Sequence, residues 1–232
     1  MAYRADSVSA FGGIIAINRE PTMEMIEAMR GKFFELMIAP KYSGTILERL
    51  KVRSVKMRVV KAQKLPKLLE FTRAFNGYLV QTADYIDESF SRWKIASGDK
   101  PSKKLIADME FAWKVVKHVK SNAIVIAKDE NMVGMGTGQP NRVNSTMLAL
   151  HQAFGKPPQY SNWSITKHPK TVGAVLASDA FFPFPDNVKL AAKAGIRAII
   201  QPGGSINDDA VIATAKKNKI TMVFTGVRHF KH

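Results

Sequence analysis

The chain has 232 residues, 46% of them hydrophobic, and 35 Lys+Arg against 19 Asp+Glu give it a formal net charge of +16. That is enough for one domain or two small ones with an apolar core, and it excludes wholesale disorder. There is no cysteine for disulfide or thiolate chemistry, no run of about 18 apolar residues for a membrane span, and no charged-then-apolar secretory start, so the expected location is cytoplasmic. Ser9 to Ile17 reads as a glycine turn followed by a buried strand. Thr22 is suited to cap a helix, and apolar spacing from Met23 to Met37 predicts one. Ile46–Leu50 predicts a second short helix, and alternating β-branched residues over Val55–Val60 predict a strand. Phe75-Asn-Gly-Tyr reads as a turn into another strand. The polar stretch Asp87–Lys103, punctuated by Gly98, Pro101 and Ser102, is the candidate linker, dividing the chain into 1–100 and 101–232.

The second half is more regular. Lys104–Val119 predicts a helix and Ala123–Gly136 a hairpin, after which a glycine-rich path leads to Arg142 and a helix through Leu150. Phe154–Thr171, proline-rich and polar, reads as an exposed loop. Strand Val172–Ala177, helix Asp186–Ala194, strand Arg197–Gln201, helix Asp208–Asn218 and strand Ile220–Thr225 then make a βαβαβ pattern. Such a pattern implies a parallel sheet and an α/β fold.

The positive charge suits an anionic partner. Its clusters, Lys51 to Arg58, Lys114 to Lys120 and Lys216 to Lys219, are short and separate, without interleaved aromatics. This ranks an anionic small ligand ahead of nucleic acid. Gln201-Pro-Gly-Gly-Ser-Ile-Asn-Asp208 follows a strand and opens a helix. It reads either as an anion cradle or as a turn capped by Ser205 or Asn207. Gly134-Met-Gly-Thr-Gly-Gln-Pro-Asn-Arg142 fits neither dinucleotide nor P-loop spacing. Its arginine either grips a carboxylate or phosphate or lies on the surface. Thr225-Gly-Val-Arg-His-Phe-Lys-His232 delivers Thr, Arg and His from a strand end, where open α/β sheets bind ligands; otherwise it is a basic tail. In Asp179-Ala-Phe-Phe-Pro-Phe-Pro-Asp-Asn187, three rings at a strand-to-helix turn pack a core or line a flat pocket. None of the five histidines has metal-ligand spacing beside a carboxylate.

The segments SVSAFGGIIA, MIAP, SNAIVIAKD, GMGTGQPNRVNS, ASDAFFPFPDN, IQPGGSINDD and MVFTGVRHFKH, in this order, resemble the transformylase region of a bifunctional purine-biosynthesis family. That family joins AICAR (phosphoribosylaminoimidazolecarboxamide) formyltransferase to IMP cyclohydrolase. The resemblance implies a cytidine-deaminase-like fold in two subdomains, a homodimer, and formyl transfer from the co-substrate 10-formyltetrahydrofolate to AICAR without a metal. It implies an AICAR side made of Gly12, Glu35, Asn122, Phe181 and Arg228, and a folate side made of Arg142, Asp186, Ser205 and Ile206. Phe181 is then the ligand-facing ring, and Phe182 and Phe184 go to the core. The family's catalytic Lys-His pair, set in a KH-T/N-x-P-x-G context, has no counterpart here. Lys117-His118 and Lys167-His168 lack that context. The expectation is therefore a formyltransferase polypeptide truncated or split at its N-terminus, without the cyclohydrolase domain. The alternative is a non-catalytic remnant that binds AICAR or folate or forms oligomers.

Overall fold

Strands in the second half form where small and branched apolar residues run without a polar break, the pattern of strands buried on both faces. The structure is a computed structural model, and it describes residues 3, 10–53, 57–62, 69–86, 88–155 and 165–231. The chain divides into two units, Met1–Ala83 and Asp84–His232. Among the described residues no helix is long and apolar enough to cross a membrane.

The first unit carries β1 (Gly13–Ala16), α1 (Met23–Ala28), β2 (Phe34–Ala39), α2 (Gly44–Arg53) and β3 (Arg58–Lys61). The three strands are parallel in the order β1-β2-β3. Its core is Ile26, Met37, Ile46 and Leu50, with Ile15, Ile17, Met29, Tyr42 and Met57 packed around them. The Tyr42 hydroxyl donates to the carbonyls of Met37 and Val60 at 3.0 and 3.2 Å, tying β2 to β3. A separate hairpin follows, β4 (Leu69–Ala74) with β5 (Gly77–Thr82).

The helix expected over Met23–Met37 is corrected here. Thr22 does cap it, accepting from the Met25 amide at 3.2 Å, but the helix stops at Ala28. Gly31 follows with φ +77°, a conformation that ends helices, and Phe34–Ala39 becomes the central strand. The run FELMIA satisfies both periods; pairing on both sides decides for the strand. Of the expected strand Val55–Val60, residues 55 and 56 lie outside the described ones and the strand is Arg58–Lys61.

The second unit contains a six-stranded sheet in the order β6-β11-β10-β9-β7-β8. β6 is Lys94–Ser97, β7 Ile124–Lys128, β8 Asn131–Gly136, β9 Val175–Ser178, β10 Ala198–Gln201 and β11 Thr221–Phe224. β9, β10 and β11 are mutually parallel, as the βαβαβ pattern predicts. β7 runs antiparallel to β8 and β9, and β6 antiparallel to β11. Helix α3 (Lys103–Val116) covers one face; α4 (Arg142–Phe154), α5 (Asp186–Ala194) and α6 (Asp208–Lys217) cover the other. Alternation within the strands assigns the faces. Ile124, Ile126, Leu176, Ile199 and Met222 turn toward α4–α6, while Val125, Val175, Ala177, Ile200 and Val223 turn toward α3.

The expected linker and the division after residue 100 are also corrected. Lys94–Ser97 is a strand that pairs with β11, so residues 84–100 belong to the second unit. A polar composition there reflects an edge strand with one wet side rather than a tether. Of the expected loop Phe154–Thr171, residues 156–164 lie outside the described ones, and Ile165–Thr171 forms neither helix nor strand.

Candidate functional site

The topology gathers the candidate residues of the second unit at one edge of the six-stranded sheet. Parallel pairing puts the carboxyl ends of β9, β10 and β11 side by side. Ile124 pairs with both Ser178 and Gly136, so the start of β7 and the end of β8 reach the same edge. Ser121-Asn122, the 137–142 loop, the Asp179–Pro185 turn, the Pro202–Asn207 loop and the chain after β11 all emerge there. Ligands of open α/β sheets bind at such carboxyl ends.

Asp179 is the node of this edge. It closes the apolar strand VLAS and is fully buried. Its carboxylate accepts from the Ser121 hydroxyl and, at 3.0 Å, from Arg142 at the first turn of α4. Its carbonyl accepts from the His229 amide at 2.9 Å, and its amide donates to the Ala123 carbonyl at 3.2 Å. The Ser121 amide in turn donates to the Lys231 carbonyl at 2.9 Å, and the Lys231 amide donates to the Ser121 hydroxyl at 3.2 Å. The segments bearing Asn122, Arg142, Phe181 and Arg228 are thereby tied to one buried carboxylate. Asn122 is fixed further: its side-chain amide donates to the Gln139 carbonyl at 2.7 Å, and its carbonyl accepts from Ser145 at 2.7 Å.

Arg142 is mostly buried. Its Nε has no hydrogen-bond partner among the described residues, so the guanidinium keeps donor capacity beyond the Asp179 bond. Breaking a buried pair by removing one partner costs about 3–5 kcal/mol. Arg142 is therefore structural as well as a candidate ligand group.

Phe181 and Arg228 meet. The guanidinium carbon of Arg228 lies 5.9 Å from the Phe181 ring centre and 5.6 Å from that of Phe230. Both are cation–π distances. Phe182 goes to the core as expected and donates its amide to Gln201 Oε1 at 2.8 Å. Phe184, also expected in the core, is 59% exposed. Pro183–Pro185 forms a bend and turn ahead of α5, with Pro185 already in helical conformation, and the third ring lies outside the core.

Asp186 heads α5, exposed and 3.9 Å from Lys189. Asn207 donates to the Pro183 carbonyl at 2.8 Å, which binds the Ser205–Ile206 loop to the phenylalanine turn. Ile206 is 99% exposed, and the Ser205 hydroxyl accepts from the Asn207 amide. Gly12 and Glu35 belong to the first unit. Gly12 sits before β1 with φ +72° and donates to the Phe33 carbonyl at 2.9 Å, and Glu35 on β2 pairs with Arg58 at 3.3 Å.

Two glycine readings change. The anion cradle at Gln201–Asp208 is occupied internally: Asp208 takes the Gly204 amide at 2.7 Å, and Asp208 and Asp209 fill the positive end of α6. Gly134 and Gly136 are not turn residues. They face α4, and a Cβ on them would come within 2.0 Å of the Ala149 carbonyl oxygen and 1.8 Å of that of Ser145. Their role is close helix-on-strand approach. Among the described residues no cluster of three or more His, Cys, Asp or Glu could hold a metal.

Sequence reasoning missed Asp179, Ser121 and Phe230 as parts of this edge, and Asp84 as the partner of its buried His229. The available signal was an aspartate directly after four apolar or small strand residues, where a buried charge demands partners.

Comparison with known proteins identifies the family of the chain. A family model described as "AICARFT/IMPCHase bienzyme" matches residues 1–152. The bifunctional purine biosynthesis protein PurH of Streptococcus thermophilus is 44% identical over 236 aligned positions, covering 100% of this chain and 43% of the relative. Those of Streptococcus equi subsp. zooepidemicus and subsp. equi are 44% and 45% identical with the same coverage. The chain thus spans under half the length of the curated relatives it matches, and it belongs to the AICARFT/IMPCHase bienzyme family.

Proposed function

We propose that this chain serves purine (IMP) biosynthesis as an AICAR formyltransferase polypeptide, its second unit presenting a ligand-binding edge for AICAR and 10-formyltetrahydrofolate. The observation that carries this reading is the convergence of Asn122, Arg142, Phe181 and Arg228 around buried Asp179, in a chain of this family. Arg228 takes the ribotide phosphate, Phe181 offers its ring to the imidazole, and Asn122 holds the base region. Arg142, Asp186, Ser205 and Ile206 form the folate side; Gly12 and Glu35 belong to the AICAR side of the same proposal. So do the cytidine-deaminase-like subdomains, the homodimer and the cytoplasmic location. In the reaction the 5-amino nitrogen of AICAR bonds to the formyl carbon and the bond to N10 of the folate breaks. The amine loses a proton and N10 gains one. No residue of these 232 is assigned that proton transfer.

One observation favours the second reading, binding without chemistry. His229, next to Arg228, is buried and engaged with Asp84 rather than facing the ligands. Calorimetry separates the outcomes. AICAR and the folate should each bind, and Phe181→Ala and Arg228→Ala should each weaken AICAR by about tenfold, the scale of one cation–π or charge-assisted contact. Absence of binding by both ligands overturns the proposal. Formylated product in a coupled assay selects catalysis, and binding without product selects the second reading.

A further inference from the structure

The chain after β11 alternates. Thr225 and Gly226 are held by the Gln201 and Pro202 carbonyls at 3.0 Å each. Beyond them the odd-numbered residues bond inward. The His229 amide reaches the Asp179 carbonyl, and Lys231 exchanges bonds with Ser121. The even-numbered residues, Arg228 and Phe230, are exposed. This is strand-like period two, so the fixing of one side chain dictates the direction of its neighbours.

The fixed side chain is His229, which is 1% exposed. Its ring lies 4.5 Å from Trp113 of α3, and its Nδ1 is 2.5 Å from Asp84 Oδ2. A carboxylate only accepts, so Nδ1 carries the proton of this bond. Asp84 is itself set: its Oδ1 accepts from the Ile86 amide at 3.2 Å, while Lys117 Nζ donates to the Ile86 carbonyl at 3.0 Å. The His229–Asp84 bond therefore joins the first segment of the second unit to its last. Nε2 of the same ring is buried with no hydrogen-bond partner among the described residues, which leaves Asp84 as the polar anchor of the imidazole.

We propose that His229, latched by Asp84, is a positioning residue that turns Arg228 and Phe230 toward the ligand edge, so that the Arg228 guanidinium is held against the rings of Phe181 and Phe230 to receive the phosphate of a flat heteroaromatic ribonucleotide. This rests on the ligand reading given above and adds to it His229, Asp84 and Phe230. Cation–π contact with two rings restrains the guanidinium while leaving its N–H edges for paired phosphate bonds.

Two measurements test it. The first needs no ligand: the Arg228 Nε–Hε signal in the 15N–1H NMR spectrum, identified by its loss in Arg228→Lys. Ring currents should displace it in the native chain. His229→Phe keeps a ring on Trp113 but deletes the latch, and it should return the signal to the position of exposed arginines, as should Asp84→Ala. Signals of α5 and β10 should stay in place. An unmoved Arg228 signal in both variants overturns the latch. The second is AICAR affinity by calorimetry. His229→Phe should weaken AICAR about tenfold but its phosphate-free riboside less than about twofold, and should add nothing in an Arg228→Ala background. Equal losses for nucleotide and riboside, or full additivity, overturn the positioning role. If the native chain binds no AICAR, the ligand reading fails and with it this role toward the ligand, while the NMR arm still decides the latch.

Discussion

Both units contain the same succession, strand-helix-strand-helix-strand with three parallel strands in sequence order, and they differ in what covers them. In the second unit every residue of β9 and β10 is buried, because α3 lies on one face and α4–α6 on the other. In the first unit β1 alternates between half-buried and exposed, and all four residues of β3 are exposed. The hairpins repeat the contrast. β7–β8 lies within the six-stranded sheet, its turn fastened by Asp108 accepting from the Glu130 amide at 2.7 Å. β4–β5 pairs only with itself among the described residues, and one of its faces carries Leu69, Phe71, Tyr78 and Val80, each more than half exposed. The lesson is that parallel topology alone does not make a strand a core strand; a second layer does.

The largest expected effect tests this difference in cover. Ile199→Ala in the middle strand of the second unit should cost about 4–5 kcal/mol, and Met37→Ala in the first about 2–3 kcal/mol, both within the range for such truncations. The first site is closed on both faces and cannot collapse. The second is bordered by partly exposed Ile15, Ile17, Met29 and Tyr42, which can close in. Denaturant unfolding of each variant measures the two costs, and equal costs would erase the distinction. Next is Gly136→Ala, which drives a Cβ into the Ser145 backbone of α4. A cost of about 1–3 kcal/mol is expected from overpacking, whereas Gly44→Ala in the first unit, where a Cβ meets nothing within 4 Å, should be close to neutral. Thermal melting of the pair checks the contrast.

The smallest effect is a pH dependence confined to the second unit. Burial of His118, then the charges of Lys117, Lys231 and His229, hold its imidazole below the ordinary value against the opposing pull of Asp84. The unfolded chain then binds the proton more readily. The contribution to stability is complete above the ordinary histidine value and is lost as pH falls through it toward the lower folded value. Melting of the native chain between about pH 8 and pH 5 should show this acid-side loss, and His118→Gln should remove that part of the slope. An unchanged slope would refute the assignment to His118.

Helices Lys103–Val116, Asp186–Ala194 and Asp208–Lys217, the β7–β8 hairpin and the three parallel strands were legible in the sequence. Their periodicities are long or unbroken, and turns punctuate them. The helix over Met23–Met37 misled because FELMIA fits two periods, and only neighbours on both sides make it a strand. Lys94–Ser97 misled because a four-residue edge strand has too little apolar signal to outweigh its polar setting. At the site, single positions were legible and their connections were not. Phe181 and Arg228 stand 47 positions apart and meet only because β9 and β11 flank β10. Asp84 and His229 are separated by 145 positions, and nothing local to either names the other.

By itself the sequence determined which segments become strands and helices in the second unit from Lys103 onward, and which residue types stand at the strand ends. Local sterics and hydrophobic period act within a few residues, so a sequence records them directly. The tertiary structure alone decided that Asp179 is buried with Arg142 and Ser121, that Gly134 and Gly136 serve a helix rather than a turn, and that His229 faces inward. These follow from which strand lies beside which and how closely a helix approaches. Such distances are fixed by packing over the whole sheet, to which every strand contributes at once.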